Sequence, residues 1–301
     1  MQTDRYPYSP IVERPPLKWP NGARVALCVV PNIECFHIDK PLNRESPQLP
    51  DVQNYSLRDY GARVGVFRMM DVLDRYAIRA SAVLNTDVCE AYPAIIEHGK
   101  KRDWEWLGHG VTNHLRLPDY PPDQEREIIR QVRQSITAAV GKAPRGWLSP
   151  GLAETLSTPD HLAAEGFEYV CDWGSDDQPI SMRVRQGRML ALPVHSTISD
   201  IVIFLRANRM PEDYFSIIRE QFDTLYRESS ESGRMMALPL HPFVIGLPFR
   251  IKSLDKSLEY ICAHDHVWVA TAGEIADWCH EHYPGRPAVS PVETGTGPVG
   301  R

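Results

Sequence analysis

The chain has 301 residues, of which 43% are hydrophobic and 24% charged, and its formal net charge is −6. This composition provides enough apolar material for one large globular domain. The acidic balance argues against a protein that tracks nucleic-acid phosphates, and no run of 18 apolar residues indicates a membrane-spanning helix.

The first residues are polar and rich in proline, without the apolar stretch of a secretory signal. Six cysteines are scattered along the chain with no paired spacing. We therefore expect a cytoplasmic protein with reduced thiols. Cys35 follows the first apolar run and is expected to be an ordinary thiol, since no base is paired with it in the sequence.

Short apolar runs alternate with amphipathic segments along most of the chain. The runs predict strands at 24–30, 79–85, 103–110, 145–151, 167–173, 188–195, 234–242 and 267–271. The amphipathic segments predict helices at 57–78, 87–102, 122–141, 158–166, 211–229, 253–265 and 272–283. This alternation is typical of a parallel α/β sheet. Because the glycine-rich nucleotide motifs and the GxSxG motif are absent, a (β/α) barrel is favoured.

The domain organisation follows from the same pattern. Residues 1–283 are predicted to form a single catalytic barrel domain that begins with an extended arm over 1–23. Residues 39–56 form a loop long enough to be a lid, and 284–301 are predicted to be a flexible tail.

Ionisable residues follow several of the predicted strands. Glu34 follows the first strand, His109 and His114 follow "DWEWLG", Asp172 follows "FEYVC", and His241 follows "MMALPL". Barrel enzymes carry their active sites at the carboxyl ends of the strands, so these side chains are expected to converge. One carboxylate with two imidazoles is a usual way to hold a zinc-like cation with positions left open. A third imidazole, His241, could protonate a leaving nitrogen.

Two further sets of residues are candidates for substrate binding. Trp147 and Trp173 could wall a pocket for a flat heterocycle, although large aromatic residues more often belong to a core. Asp176, Asp177 and Gln178 could hold amide N–H groups, although "SDDQP" is also a good turn sequence.

The chain resembles the polysaccharide deacetylase-like superfamily (carbohydrate esterase family 4), and within it the intracellular allantoinase-like and cyclic imide hydrolase-like branch. The resemblance extends over 6–283. It is carried by "NIECF", "DYGARVGVFRMMDVLDRY", "VCEAYP", "GHGVTNH", "RGWLSPGLAET", "DWGSDDQP" and "LHPFVIGLPFR".

This resemblance implies a deformed TIM-like barrel with about seven parallel strands and a metal held by one acidic residue and two histidines. Glu34 and His109 stand at the positions of the first two ligands, and His241 matches the histidine that acts as general acid. Arg145 matches the arginine of the family's third motif and is expected, if the metal does not do so, to stabilise the oxyanion. Asp172 matches an acidic residue that supports the site. The alternative is that these two residues form a structural salt bridge with each other.

The sequence departs from the deacetylase pattern at the base and at the third ligand. Asn32 stands where a carboxylate base is expected, two positions before Glu34. The histidines of the pair are usually separated by three residues, whereas four separate His109 from His114, so the regular third position falls on Asn113. Either His114 or Asn113 completes the metal site, or the metal is lost. The base is then Glu34 or a metal-bound hydroxide.

These features predict a hydrolase of a non-peptide C–N bond in a small cyclic amide such as an imide, ureide or hydantoin-like ring. The expected cofactor is a divalent metal, Zn²⁺ by preference, with metal-independent catalysis as the alternative. N-deacetylation of an amino sugar or polysaccharide and a catalytically inactive binding barrel are the other two readings. The resemblance also implies a homodimer or homotetramer.

Overall fold

The computed structural model describes residues 3–40 and 49–285. Most of the predicted tail and the middle of the predicted lid, residues 286–301 and 41–48, lie outside these ranges. The described strands are β1 Val25–Ile33, β2 Ser81–Leu84, β3 Glu105–Gly108, β4 Gly146–Trp147, β5 Tyr169–Val170, β6 Ile180–Met182, β7 Met189–Ala191, β8 Arg234–Leu240 and β9 Val267–Val269.

These strands form one curled sheet in the order β6-β7-β5-β4-β3-β2-β1-β8, with β9 paired to the start of β1. The pairings are parallel except between β6 and β7. The sheet is a half-barrel, which confirms the deformed TIM-like fold. Eight described strands run parallel rather than about seven, and the antiparallel β6 was not predicted, because it follows the turn-forming segment "SDDQP" without an apolar run of its own.

The register of the sheet explains which residues meet at its carboxyl edge. Backbone pairing places Ile33, Leu84, Gly108 and Trp147 in one row across β1 to β4. The residues one position later therefore leave the sheet together. On the other side of β1, Pro31 pairs with Leu240, so His241 leaves β8 close to the same level.

Two apolar layers cover the two faces of the sheet. Along β1, Ala26, Cys28 and Val30 face the barrel interior, while Val25 and Leu27 face the helices. Every residue of β1 is buried, as expected for a parallel strand covered on both sides. Leu17 and Trp19 of the amino-terminal arm join the interior layer, so the arm is part of the barrel's packing.

The described helices are α1 Val52–Tyr60, α2 Val66–Arg75, α3 Asp87–Ala91, α4 Pro93–Lys101, α5 Pro122–Val140, α6 Thr158–Ala164, α7 Pro211–Glu228, α8 Pro242–Ile245, α9 Ile251–Cys262 and α10 Ala272–His282. The predicted helix at 87–102 is two helices, because Pro93 cannot continue α3 and instead begins α4. The short α8 was not predicted. Gly141 ends α5 in the left-handed conformation with φ 84°, as predicted.

The predicted helix at 57–78 is interrupted by a π-helical turn over Gly61–Gly65. A Cβ atom on Gly61 would lie 2.6 Å from the backbone nitrogen of Phe243, and one on Gly65 would lie 2.2 Å from the carbonyl of Pro242. Only glycine allows this approach, so the turn packs directly against α8, which follows His241. None of the described helices is long and apolar enough to cross a membrane.

Candidate active site

Glu34, His109 and His241 meet at the carboxyl edge of the sheet. Oε1 of Glu34 lies 3.6 Å from Nε2 of His109 and 3.9 Å from Nε2 of His241. The three side chains are only 7%, 2% and 10% exposed, respectively. The structure therefore brings together three predicted residues that are far apart in the sequence, because each directly follows a strand.

The electrostatic environment keeps the Glu34 carboxyl ionised. Burial alone would raise its pKa, but the neighbouring imidazoles of His109 and His241 and the guanidinium of Arg58 outweigh burial and hold the pKa below its usual value. Glu34 is therefore a carboxylate at neutral pH, able to accept a proton or hold a cation.

His109 is fixed in one orientation by the next strand. Its Nδ1–H donates to the carbonyl of Leu148 over 2.5 Å, which turns Nε2 toward Glu34. Nε2 is buried and lacks a hydrogen-bond partner among the described residues. The glycine before His109 lets the neighbouring strand pack closely, because a Cβ atom on Gly108 would lie 2.4 Å from the Trp147 ring.

His241 is oriented by Asp200, which sequence reasoning missed. Asp200 is completely buried, and its two carboxylate oxygens accept the backbone N–H of His241 at 2.8 Å and Nδ1–H at 2.7 Å. Burial opposes protonation of His241, but the charges of Asp200 and Glu34 outweigh it, so the pKa of His241 is raised. The signal available in the sequence was a lone acidic residue in the apolar run "ISDIVIF".

Two asparagines fasten the strand ends beneath the site. Asn85 follows β2, accepts the backbone N–H of Cys35 at 2.9 Å and donates to the carbonyl of His109. Asn32 donates to the carbonyls of Val30 and Leu240 at 3.2 Å each, which ties β1 to β8. The amide that replaces the expected carboxylate base thus has a structural function.

The structure separates the two candidates for the third metal ligand. Nε2 of His114 accepts the backbone N–H of His37 at 2.6 Å, so that nitrogen is engaged at the rim. Asn113 donates its backbone N–H to the carbonyl of Cys35 at 3.1 Å, and its Oδ1 is buried without a hydrogen-bond partner among the described residues. Of the two candidates, Asn113 is therefore the one with a side-chain oxygen that lacks a hydrogen-bond partner among the described residues.

These donor atoms fit a divalent cation. A carboxylate, an imidazole nitrogen whose other nitrogen is bonded to a carbonyl, and an amide oxygen are oxygen and nitrogen ligands of the kind that zinc accepts. The buried, unpartnered Nε2 of His109 would be satisfied by an ion bound between it and Glu34.

The structure does not bring Arg145 to this site. Arg145 precedes β4, so it lies at the amino end of that strand, where its guanidinium pairs with Glu168 at 2.7 Å and with Asp277. It borders a cavity of about 480 Å³ at that end of the sheet. The prediction that Arg145 lies at the active site was therefore wrong. Arg145 also does not form the alternative salt bridge with Asp172, because its partners are Glu168 and Asp277.

The two candidate tryptophans lie in different environments. Trp147 is completely buried, packs edge-to-face on Phe167 and belongs to the helix-side core, so it does not wall a pocket. Trp173 is half-buried; its indole N–H donates to Glu154 at 3.0 Å and its ring packs edge-to-face on Tyr6 of the arm.

Asp172 supports the site from behind His109. One of its carboxylate oxygens accepts the backbone N–H of Ser149 at 2.7 Å, next to the carbonyl that orients His109. Asp172 also lies near Glu154, and burial together with the Asp172 charge raises the pKa of Glu154 to about 10. Glu154 therefore keeps its proton at neutral pH. Sequence reasoning missed Glu154.

Asp176, Asp177 and Gln178 make structural contacts. Asp176 pairs with Arg14 of the arm at 2.5 Å and accepts the backbone N–H of Gln178. The carbonyl of Asp177 accepts the backbone N–H of Met235, and its carboxylate lies 3.7 Å from His195. The completely buried Gln178 donates to the residues just before β8. This segment joins the two edges of the half-barrel, and its predicted substrate contacts stay a prediction.

Arg58 of α1 is a site residue that the sequence did not reveal. Its guanidinium carbon lies 4.7 Å from the Phe36 ring centroid and 4.8 Å from that of Phe243. Arg58 and Glu34 line the same small cavity, whose walls include these two rings. The charge of Arg58 acts on both Glu34 and His241. Its Nε is buried without a hydrogen-bond partner among the described residues.

Comparisons with known proteins agree with this geometry. Residues 55–170 match the family model described as polysaccharide deacetylase. A Schizosaccharomyces pombe (strain 972) protein provisionally named polysaccharide deacetylase is 24% identical over 300 residues, which cover 88% of this chain and 93% of the relative. PuuE allantoinase and a provisionally named polysaccharide deacetylase from Pseudomonas aeruginosa PAO1 each superpose with a TM-score of 0.82 at 25% identity, covering 90% of this chain and 96% of theirs.

The proteins that this chain resembles in fold, and over residues 55–170 in sequence, are hydrolases that act on C–N bonds other than peptide bonds. The family-model match over residues 55–170 and the fission-yeast relative thus agree with the resemblance of the chain's motifs to the polysaccharide deacetylase-like superfamily.

Proposed function

We propose that the chain hydrolyses a small, cyclic amide such as an imide, ureide or hydantoin-like ring. The observation that carries this proposal is the buried group of Glu34, His109 and His241, beside which the rings of Phe36 and Phe243 wall a cavity of about 20 Å³. A cavity of this size has room for about one water molecule, the nucleophile of the reaction, and the two aromatic rings beside it suit a flat substrate. The similarity to PuuE allantoinase supports the same substrate class.

In this mechanism, Glu34 accepts the first proton from the attacking water. Its pKa lies below the usual value, so it is ionised, and Asn32, bonded to two strand carbonyls, cannot take this role. A divalent cation such as zinc, held by Glu34, His109 and Asn113, would supply Lewis-acid polarisation of the carbonyl when bound. The attack converts the planar carbonyl into a tetrahedral centre with a negatively charged oxygen.

Arg58 and His241 complete the reaction. The guanidinium of Arg58, held between two aromatic rings, provides positive charge next to the carbonyl oxygen as it becomes negative. Asp200 keeps Nδ1 of His241 protonated and raises the pKa of the ring, so Nε2–H is available to protonate the leaving nitrogen. In this mechanism Arg58, instead of Arg145, stabilises the oxyanion.

The test is a panel of substrates with chelator-treated protein, assayed with and without added Zn²⁺. We expect ring opening of one of allantoin, hydantoin or succinimide, and its loss in Glu34→Gln. Glu97→Gln on the exposed face of α4 is the matched control and keeps full activity. Ring opening that persists at full rate in Glu34→Gln would contradict the mechanism.

N-deacetylation of an amino sugar is the second candidate, and the family model and the fission-yeast relative favour it. Acetate release from chito-oligosaccharides, with no cleavage of any cyclic amide, would replace the first proposal with this one. Binding of a panel compound without turnover under any metal would favour an inactive binding barrel. The cytoplasmic location and the homodimer or homotetramer remain predictions.

A further inference from the structure

A second group of potential metal ligands lies beside the proposed active site. One donor atom each from the Cys35 thiol, the His37 imidazole and the Asp87 carboxylate lie within 4.8 Å of one another. We propose that these three residues form a binding site for a soft divalent cation of the zinc type, separate from the ligands around Glu34.

Cys35 is held in place through its backbone. Its N–H donates to the side chain of Asn85 at 2.9 Å. Its carbonyl accepts the hydroxyl of Thr112 at 3.0 Å and the backbone N–H of Asn113 at 3.1 Å. The backbone that carries the thiol is therefore held in place before any metal binds, which lowers the entropic cost of forming the site.

The other two ligands are also positioned. Nε2 of His37 lies 2.8 Å from Oδ2 of Asp87. The backbone N–H of His37 donates to Nε2 of His114, and Asp87 begins α3 with its own N–H donating to the carbonyl of Val111 at 3.1 Å. This arrangement gives His114 a function: it positions His37 instead of binding the metal beside Glu34.

The donor set selects the type of ion. A thiolate, an imidazole and a carboxylate are typical of zinc and unsuited to magnesium or calcium, which prefer oxygen ligands. Bonds of roughly 2.0 to 2.3 Å to a tetrahedral zinc ion place its ligand atoms between about 3.2 and 3.8 Å apart. Atoms that already lie within 4.8 Å of one another need to move by only about an ångström to meet this geometry.

The site is open to solvent on one side. Cys35 is buried at its base, whereas His37 is exposed and Asp87 is about one-third exposed. An ion can therefore enter past His37, and a water molecule can fill the fourth position. The bond from His37 to Asp87 also argues against a Cys–His nucleophile, because the imidazole nitrogen facing the carboxylate is not directed at the thiol.

The two sites face different parts of the molecule. Cys35 packs with the helix-side core, while the neighbouring Glu34 faces His109 and His241. The ligands around Glu34 include no sulfur, so a spectroscopic signal from a metal–thiolate bond reports the Cys35 site alone. The inference is therefore independent of which amide the enzyme cleaves.

The test is titration of chelator-treated, reduced protein with Cd²⁺, followed by the ultraviolet charge-transfer band of thiolate–cadmium bonds. We expect a band that saturates at about one equivalent in the wild-type protein. The band should be absent in Cys35→Ser and retained in Cys89→Ser, whose thiol is partly exposed on α3. Asp87→Asn should weaken Cd²⁺ binding at least about tenfold.

Two results would overturn the proposal: no band in the wild-type protein, or an undiminished band in Cys35→Ser. Thermal unfolding of each metal-free variant establishes that it is folded. If Cys35→Ser does not fold, His37→Ala at the exposed position takes its place, with the same expected weakening as Asp87→Asn. Unchanged Cd²⁺ affinity in a folded His37→Ala protein also contradicts the site.

Discussion

The pairing of Asp200 with His241 makes the sharpest test of the proposed general acid. The substitution Asp200→Asn keeps the size of the side chain but removes its charge. In the native protein the carboxylate accepts three N–H groups, from the His241 backbone at 2.8 Å, from His241 Nδ1 at 2.7 Å and from the Ile201 backbone at 2.7 Å. An asparagine has only one accepting oxygen, so at least one of these buried donors faces an NH₂ group.

The magnitude follows from these contacts. A hydrogen bond to a charged group contributes about 1.5 to 3 kcal/mol, and we expect the variant to lose that much free energy of unfolding. Because Asp200 raises the pKa of His241, its loss also reduces the fraction of the ring that carries protons on both nitrogens and so weakens the acid. We expect kcat/KM for the cleaved amide to fall about 10²- to 10⁴-fold.

The pH dependence gives a second, independent readout. The charge of Asp200 raises the pKa of His241, so the protonated acid persists to higher pH in the native enzyme. Removing that charge lowers the pKa, and the alkaline limb of the kcat/KM profile should move to lower pH. The assay is the pH–rate profile together with an NMR titration of the histidine ring protons, assigned with His241→Gln.

Asp71→Asn, at an exposed position of α2, controls for the loss of one negative charge and should leave both the profile and kcat/KM unchanged. A folded Asp200→Asn protein with native kcat/KM and an unmoved alkaline limb would refute the assignment of His241 as the general acid.

Three further predictions address stability, the arginines and the metal. Because burial and a neighbouring carboxylate raise the pKa of Glu154 from 4.5 to about 10, the folded state keeps a proton that the unfolded state releases. The native free energy of unfolding should therefore fall between these pH values by up to about 1.4 kcal/mol per unit, and urea unfolding of Glu154→Gln should show a flatter dependence. Arg58→Gln should lower kcat about 10²-fold or more, whereas Arg145→Gln should cost only about 1 kcal/mol of stability; equal kinetic effects would contradict their placement. Asn113→Ala should weaken competitive Zn²⁺ binding beside Glu34 at least about tenfold, and an equal loss in His114→Ala would show that the third ligand is misassigned.

The residues that sequence reasoning placed well share one property: each directly follows a buried strand. Glu34, His109 and His241 could be predicted because parallel strands end at one edge, and a residue one position beyond a strand has little choice of location. The same rule speaks against Arg145, which precedes its strand and so lies at the opposite edge. The family motif suggested a role for that arginine at the site, whereas the direction of the strand places it at the opposite edge, as the structure shows.

The residues that were missed depend on contacts that no local pattern encodes. Arg58 reaches the site because a helix packs across the strand ends and two phenylalanine rings hold its guanidinium. Asp200 comes from a segment between β7 and α7, and its contact with His241 depends on how that segment folds back under β8. Trp147 shows the converse: alternation along β4 directs it to the helix side, although its position near the strand end suggested a pocket.

The same reasoning explains why the second histidine of "GHGVTNH" was ambiguous. A count of residues assigns the regular third-ligand position to Asn113, but chemistry favours an imidazole, and the sequence alone cannot decide between them. The chain after His109 leaves β3 through Gly110, whose φ of 70° turns the backbone away from the strand direction. This turn places the backbone N–H of Asn113 on the Cys35 carbonyl and directs His114 outward to His37. One left-handed glycine therefore determines that the two side chains serve different neighbours, and a substitution there should disturb both sets of contacts together.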